Sequence, residues 1–132
     1  MDYIKLYEEF HGYSNEAMFR KELNAFCNEE LQFLLLDGFE VFVGEQFKKN
    51  ETDEDSVMIT LRNDDTFKWI DVKTSFLKFY NSLSENYNVS NSLVFQIFDG
   101  MDYDNKEVSI EEIDGSDIIN YEVISIKIQV EY

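Results

Sequence analysis

The chain of 132 residues contains no proline, so its turns fall to Gly, Asn, Asp and Ser. It has one cysteine, Cys27, which excludes an internal disulfide and a two-cysteine metal knuckle. Cys27 sits in an apolar helical pattern and reads as a small core residue rather than a nucleophile. The one histidine, His11, is too little for zinc, which takes about four N or S ligands. Nothing places a nucleophile beside it for Ser-His-Asp or Cys-His chemistry. The five glycines, Gly12, Gly38, Gly44, Gly100 and Gly115, are scattered and form no phosphate-cradling loop. The longest unbroken aliphatic–aromatic run, Phe33 to Leu36, is far too short to span a bilayer. The opening MDYIKLYEEF has no basic region followed by an apolar run, as a signal peptide would. A reducing, cytoplasmic location is the expectation, with no metal and no cofactor.

Basic residues are also scarce. Eleven Lys and Arg face 28 Asp and Glu, for a formal net charge of −17. That potential repels phosphate backbones and anionic membrane surfaces alike. A basic protein surface is the partner such a charge selects, with fast, salt-sensitive association. Aromatic residues make up 16% of the chain, more than a disordered acidic tail would carry, so the chain is expected to fold. Its length suits a single domain over 1–132.

The densest acidic stretch is DGMDYDNKEVSIEEIDGSD. It holds Asp99, Asp102, Asp104, Glu107, Glu111, Glu112, Asp114 and Asp117 against Lys106 alone. Tyr103, Val108, Ile110 and Ile113 are interleaved with the charges. The remaining chain is expected to be the scaffold for this surface.

Residues 2 to 10 alternate loosely and fit either a short helix or an edge strand. Ser14 or Asn15 can cap a helix. Phe19, Leu23, Phe26, Cys27, Leu31 and Leu34 then recur at helical spacing, which predicts a helix from about Asn15 to Leu36. Asp37-Gly38 fits a helix stop with Gly in the left-handed region, or a tight hairpin turn; the stripe through Leu34 favours the stop. Residues 39 to 47 read as a strand, 48 to 55 as a charged loop, and 56 to 62 as the next strand. Asn63-Asp64-Asp65 reads as a turn and 66 to 70 as a returning strand. Asp71 is expected to cap a helix with Val72, Phe76, Phe79, Tyr80 and Leu83 on one face. A strand at 92 to 98 follows. In Tyr121 to Tyr132, Ile124, Ile126, Ile128, Val130 and Tyr132 alternate with Ser125, Lys127, Gln129 and Glu131, as in a half-buried antiparallel strand. The predicted class is α+β: a largely antiparallel sheet of about five strands with two main helices packed on one face.

Two stretches resemble motifs that carry chemistry. Asp71-Val72-Lys73, placed at the end of a strand, resembles the second half of the PD-(D/E)xK nuclease motif. The resemblance implies that Asp55 and Asp71 share a divalent metal and that Lys73 helps position the attacking water. The order of elements over about Asn15 to Phe98 is also similar to that core. No proline precedes Asp55, and the chain's own charge opposes a polyanionic substrate: without residues 99–132 there are still eighteen acids against nine bases. The simpler assignment is that Asp71 caps a helix and Lys73 is solvated. The second stretch, Asp102 to Glu112, has an EF-hand look but puts Lys106 at the fifth position and Glu107 where the loop needs Gly. Its twelfth position is Ile113, not a bidentate glutamate.

The leading expectation is an inhibitor rather than an enzyme. In size and charge the chain is similar to small acidic anti-CRISPR proteins, nucleic-acid mimics and immunity proteins of nuclease toxins. Asp99, Asp102, Asp104, Glu107, Glu111, Glu112, Asp114 and Asp117 would stand in for phosphates and dock in the basic channel of a nucleic-acid enzyme. Tyr103 would be the aromatic anchor, with Tyr121 and Tyr132 adding contact area. The alternatives are the metal-dependent nuclease using Asp55, Asp71 and Lys73, and an assembly module whose acidity is incidental.

Overall fold

The structure is a computed structural model and describes residues 15–44 and 56–131. The expectations for residues 2 to 10, Ser14, His11, residues 45 to 55 and Tyr132 lie outside the described residues.

Helix α1 (Asn15–Glu30) runs into a short helix α2 (Gln32–Leu36) through Leu31. The expected helix is therefore present, with a kink where Leu31 adopts φ −101°, ψ 12°. Its i→i−4 bonding survives the kink: Leu31 N–H donates to Cys27 O at 2.9 Å and Leu35 N–H to Leu31 O at 3.0 Å. Burial of Leu23, Cys27, Leu31 and Leu34 follows the stripe read from the sequence. Gly38, at φ +91°, ends the helical run and turns the chain into strand β1 (Phe39–Val43).

Strand β2 (Ser56–Phe67) differs from expectation. It is one twelve-residue strand where the sequence suggested a strand, a turn at Asn63-Asp64-Asp65 and a returning strand. Its pairing with β6 (Glu122–Glu131) is continuous to Arg62 and resumes at Phe67 opposite Val123. The residues between form a bulge, with Asn63 Oδ1 accepting from Asp65 N–H at 3.3 Å. Turn-forming residues here deflect the strand without reversing it, because Phe67 still reaches the core.

Helix α3 (Trp69–Asn86) begins two residues before Asp71. Trp69, Val72, Phe76, Phe79, Tyr80 and Leu83 are buried along it, while Ile70 stays exposed. Trp69 is thus the first member of the helical stripe and not the end of a strand. Short β3 (Asn88–Val89), β4 (Ser92–Phe98) and β5 (Tyr103–Ser109) follow. Two 3-10 segments, Ile110–Gly115 and Asp117–Asn120, lead into β6.

The six strands form one sheet in the order β1-β2-β6-β4-β5, with β3 also on β6, and every pairing is antiparallel. Val57, Ile59, Leu61, Leu93, Phe95, Ile97, Ile126, Ile128 and Val130 fill its inner face. The helices cover that face: Trp69 meets Phe95 edge-on at 5.4 Å between centroids, and Phe26 lies 6.4 Å from Phe79. This is the predicted α+β arrangement. No described helix is long and apolar enough to cross a membrane.

Candidate functional site

The acidic stretch is built into the sheet. After β4 the chain reverses through Asp99-Gly100-Met101-Asp102, and β5 returns with Tyr103 opposite Phe98 and Ser109 opposite Ser92. Asp99 organises the turn. Its Oδ1 accepts from Met101 N–H at 3.0 Å and Asp102 N–H at 2.9 Å, and Gly100 supplies the φ of +100°. The Asp102 and Met101 amides hold the Asp99 carboxyl below its ordinary range.

The pleat then divides the candidates. Tyr103 and Glu107 share the outer face, while Asp104 and Lys106 lie on the helix side, opposite Ile97 and Phe95. Because β5 is the last strand, Asp104 and Glu107 both remain exposed at the sheet's edge. Glu107 accepts from Ser92 Oγ at 3.1 Å. Past Ser109 the first 3-10 segment carries Glu111, Glu112 and Asp114, and the second begins at Asp117. Ile113 and Ile118, 2% and 0% exposed, pin these two segments to the core.

An open concavity of about 670 Å³ lies between β5 and the 3-10 segments. Glu107, Glu111, Glu112 and Asp117 line it with Lys106. Among the described residues, the carboxylates of Asp102, Glu111 and Glu112 accept no hydrogen bond and pair with no cation. Two acids are already neutralised. Asp117 Oδ2 accepts from Lys106 Nζ at 3.2 Å, and Asp114 pairs with Lys73 Nζ at 2.6 Å. Lys106 also lies 4.5 Å from the Tyr121 ring centroid. The Tyr121 hydroxyl, and then Asp117, hold its ammonium above the ordinary lysine value.

At the other end, the hairpin tip exposes Met101 (88%) and Tyr103 (68%) between Asp99, Asp102 and Asp104. Tyr103 rests on Phe98 with ring centroids 5.3 Å apart. The structure therefore gathers the candidates into two groups: Glu107, Glu111, Glu112 and Asp117 at the concavity, and Asp99, Asp102 and Tyr103 at the tip. Asp104 sits on β5 between them, and Asp114 is turned to Lys73. Sequence reasoning missed Met101, whose signal is an apolar residue inside a DGMD turn. It also missed the Lys73–Asp114 pair, which links segments 41 residues apart and leaves no local signal.

The nuclease resemblance required Asp71 and Lys73 at the end of a strand, where residues two apart share a face. They lie instead in the first two turns of α3, where residues two apart do not face each other. Asp71 Oδ2 accepts from Lys68 N–H at 3.3 Å, an N3 carboxylate satisfying a helix-start amide. Lys73 is committed to Asp114. Asp55 lies outside the described residues. Among the described residues, no three His, Cys, Asp or Glu side chains converge as metal ligands. The Cys27 thiol is buried among apolar side chains, and burial pushes its pKa up to about 12.

Compared with protein-family models, curated proteins and solved structures, the chain matches none of them.

Proposed function

We propose that this chain is a protein-binding antagonist whose acidic edge substitutes for a nucleic-acid backbone in the basic channel of a nucleic-acid-handling enzyme. The observation that carries the proposal is the concavity of Glu107, Glu111, Glu112 and Asp117 beside β5. Its carboxylates stand on a hydrogen-bonded strand and on 3-10 segments anchored by Ile113 and Ile118. Ordering them costs little on binding, because the scaffold already holds them. Arginine or lysine side chains that normally grip phosphates would enter the concavity. Met101 and Tyr103 at the tip supply the apolar contact that slows dissociation. Such an enzyme, and hence this chain, belongs to the cytoplasm in the manner of anti-CRISPR and toxin-immunity proteins.

The test is capture of a partner from host lysate with elution across rising salt, then affinity measurement on the purified pair. Changing Glu107, Glu111 and Glu112 to Lys reverses the local field and should abolish binding. Tyr103→Ala should raise the off-rate with little change in on-rate. A captured enzyme whose affinity survives the triple reversal, or whose substrate binds simultaneously with this chain, would overturn the proposal. Divalent-dependent cleavage lost in Asp71→Ala would replace it with the nuclease alternative.

A further inference from the structure

Among the described residues the sheet ends in two edge strands, β5 and β1, and they are treated differently. Strand β5 carries Asp104, Lys106 and Glu107, charges that discourage strand addition, and the first 3-10 segment packs beside it. Strand β1, FEVFV, has a single charge, Glu40. Gly44 N–H donates to Met58 O at 2.7 Å, which fixes the alternation of the β1–β2 ladder. Glu40 and Phe42 exchange bonds with Arg62 and Thr60, so the N–H and C=O groups of Phe39, Val41 and Val43 point away from β2.

We propose that β1 pairs antiparallel with β1 of a second copy of this chain, about a two-fold axis through Val41. This register aligns all the outward groups. Val41 exchanges two hydrogen bonds with Val41 of the second copy, and Phe39 with its Val43. On the outer face Glu40 then lies opposite Phe42 of the second copy. That position is charge-complementary: the Arg62 guanidinium lies 5.0 Å from the Phe42 ring centroid, and its Nε is 3.3 Å from Glu40 Oε2. Each Glu40 therefore gains the second copy's Arg62 as a neighbour. In the helix layer, α2 lies beside β1 and leaves Phe33 77% and Leu36 86% exposed. Phe33 lines the groove toward α3 with Thr74 and Lys78, while Leu36, three residues before Phe39, stands at the end of the strand that an isologous pairing brings to the seam in both copies.

The charge distribution permits the association. Residues 31–43 contain two acids, Asp37 and Glu40, and carry few charges for a chain of net charge −17. The acidic strand β5 is the opposite edge, four strand spacings or about 19 Å away. In the dimer the two β5 strands stand about 43 Å apart, far beyond the Debye length of about 8 Å at physiological salt.

Sedimentation velocity of the full chain over a micromolar concentration series tests this. The unmodified chain should run as a dimer. Val41→Pro removes an outward N–H and no bond to β2, and Leu36→Glu charges the seam; each should raise the dimer dissociation constant on the order of tenfold or more. Glu40→Arg and Arg62→Glu should each weaken the dimer, and the two together should restore it. A monomer throughout the series overturns the proposal, as does a dimer indifferent to both Val41→Pro and Leu36→Glu. Should Val41→Pro unfold the chain, Leu36→Glu at its solvent-exposed position still decides.

Discussion

The acidic 3-10 segments are held by two kinds of contact, and the energetics separate them. Ile118 is 0% exposed and belongs to the main core cluster. Ile118→Ala deletes three buried carbons and leaves a cavity, a change worth about 2–4 kcal/mol. In a 132-residue chain that lowers Tm by roughly 6–15 °C. The Lys73–Asp114 pair is short but wet, with side chains 33% and 72% exposed. Lys73→Met should therefore cost about 0–1 kcal/mol, less still in high salt. Urea unfolding followed by the fluorescence of Trp69 measures both, since this indole is buried against Phe76 and Phe95. Ile118→Ala should shift the midpoint markedly at an unchanged slope, and Lys73→Met should barely move it. If Lys73→Met proves as damaging as Ile118→Ala, the acidic surface is held by charge and not by apolar anchors. The claim of a preordered scaffold would then fail.

Three further outcomes follow from single sites. The Asp99 carboxyl is held below its ordinary range by the Asp102 and Met101 amides, so the hairpin gains stability above the unfolded-state pKa of about 3.9 and loses it as pH falls through the lower folded value. The Met101 and Asp102 amide resonances should titrate with a midpoint below that of a free Asp; a midpoint at or above it would refute the turn chemistry. Cys27, with its thiol pushed up to about 12, should resist thiol reagents until the chain unfolds, and labelling of the native protein at the rate of an exposed thiol would contradict its burial. Gly38→Ala places a Cβ at φ +91°, where the nearest atom, Asn63 Nδ2, lies at 3.7 Å, so the cost is backbone strain and not collision. It should amount to about 1–2 kcal/mol by denaturant titration, and a neutral result would rule out strain at this position.

The elements with a strong period were legible. Leu23, Cys27, Leu31 and Leu34 form a helical stripe, and Ile126, Ile128 and Val130 alternate as read, whereas the start of β6 shifts register so that Val123 and not Ile124 is buried. Local chemistry misled where tertiary burial decided the outcome. Asn63-Asp64-Asp65 carries the residues of a turn, yet Phe67 is drawn into the core against Phe39, with centroids 5.0 Å apart, and β2 passes through as a bulge. From the sequence Trp69 reads as a strand terminus, at the end of residues 66 to 70. Only its place in the aromatic cluster with Phe76 and Phe95 chooses the helix, and that choice dissolves the strand placement on which the Asp71–Lys73 resemblance rested. In the acidic stretch the composition was plain but the grouping was not. The pleat that separates Asp104 from Glu107, and the lysines that absorb Asp114 and Asp117, arise from pairings across the sheet and from α3.

A net charge of −17 spread evenly would strain the folded state and mark no surface in particular. Its distribution does more. Lys73 and Lys106 are spent on Asp114 and Asp117, which adjoin the buried Ile113 and Ile118, so part of the negative charge of the anchored segments is neutralised within the chain. Asp102, Glu111 and Glu112 are left bare where it faces solvent. The anchors bury only isoleucine, so no carboxylate has to give up its hydration to hold the platform in place. Rigidity and charge thus come from different side chains of one segment. Substitutions on the rim should consequently alter association rate and salt dependence while leaving stability intact, whereas substitutions at Ile113 or Ile118 should do the reverse.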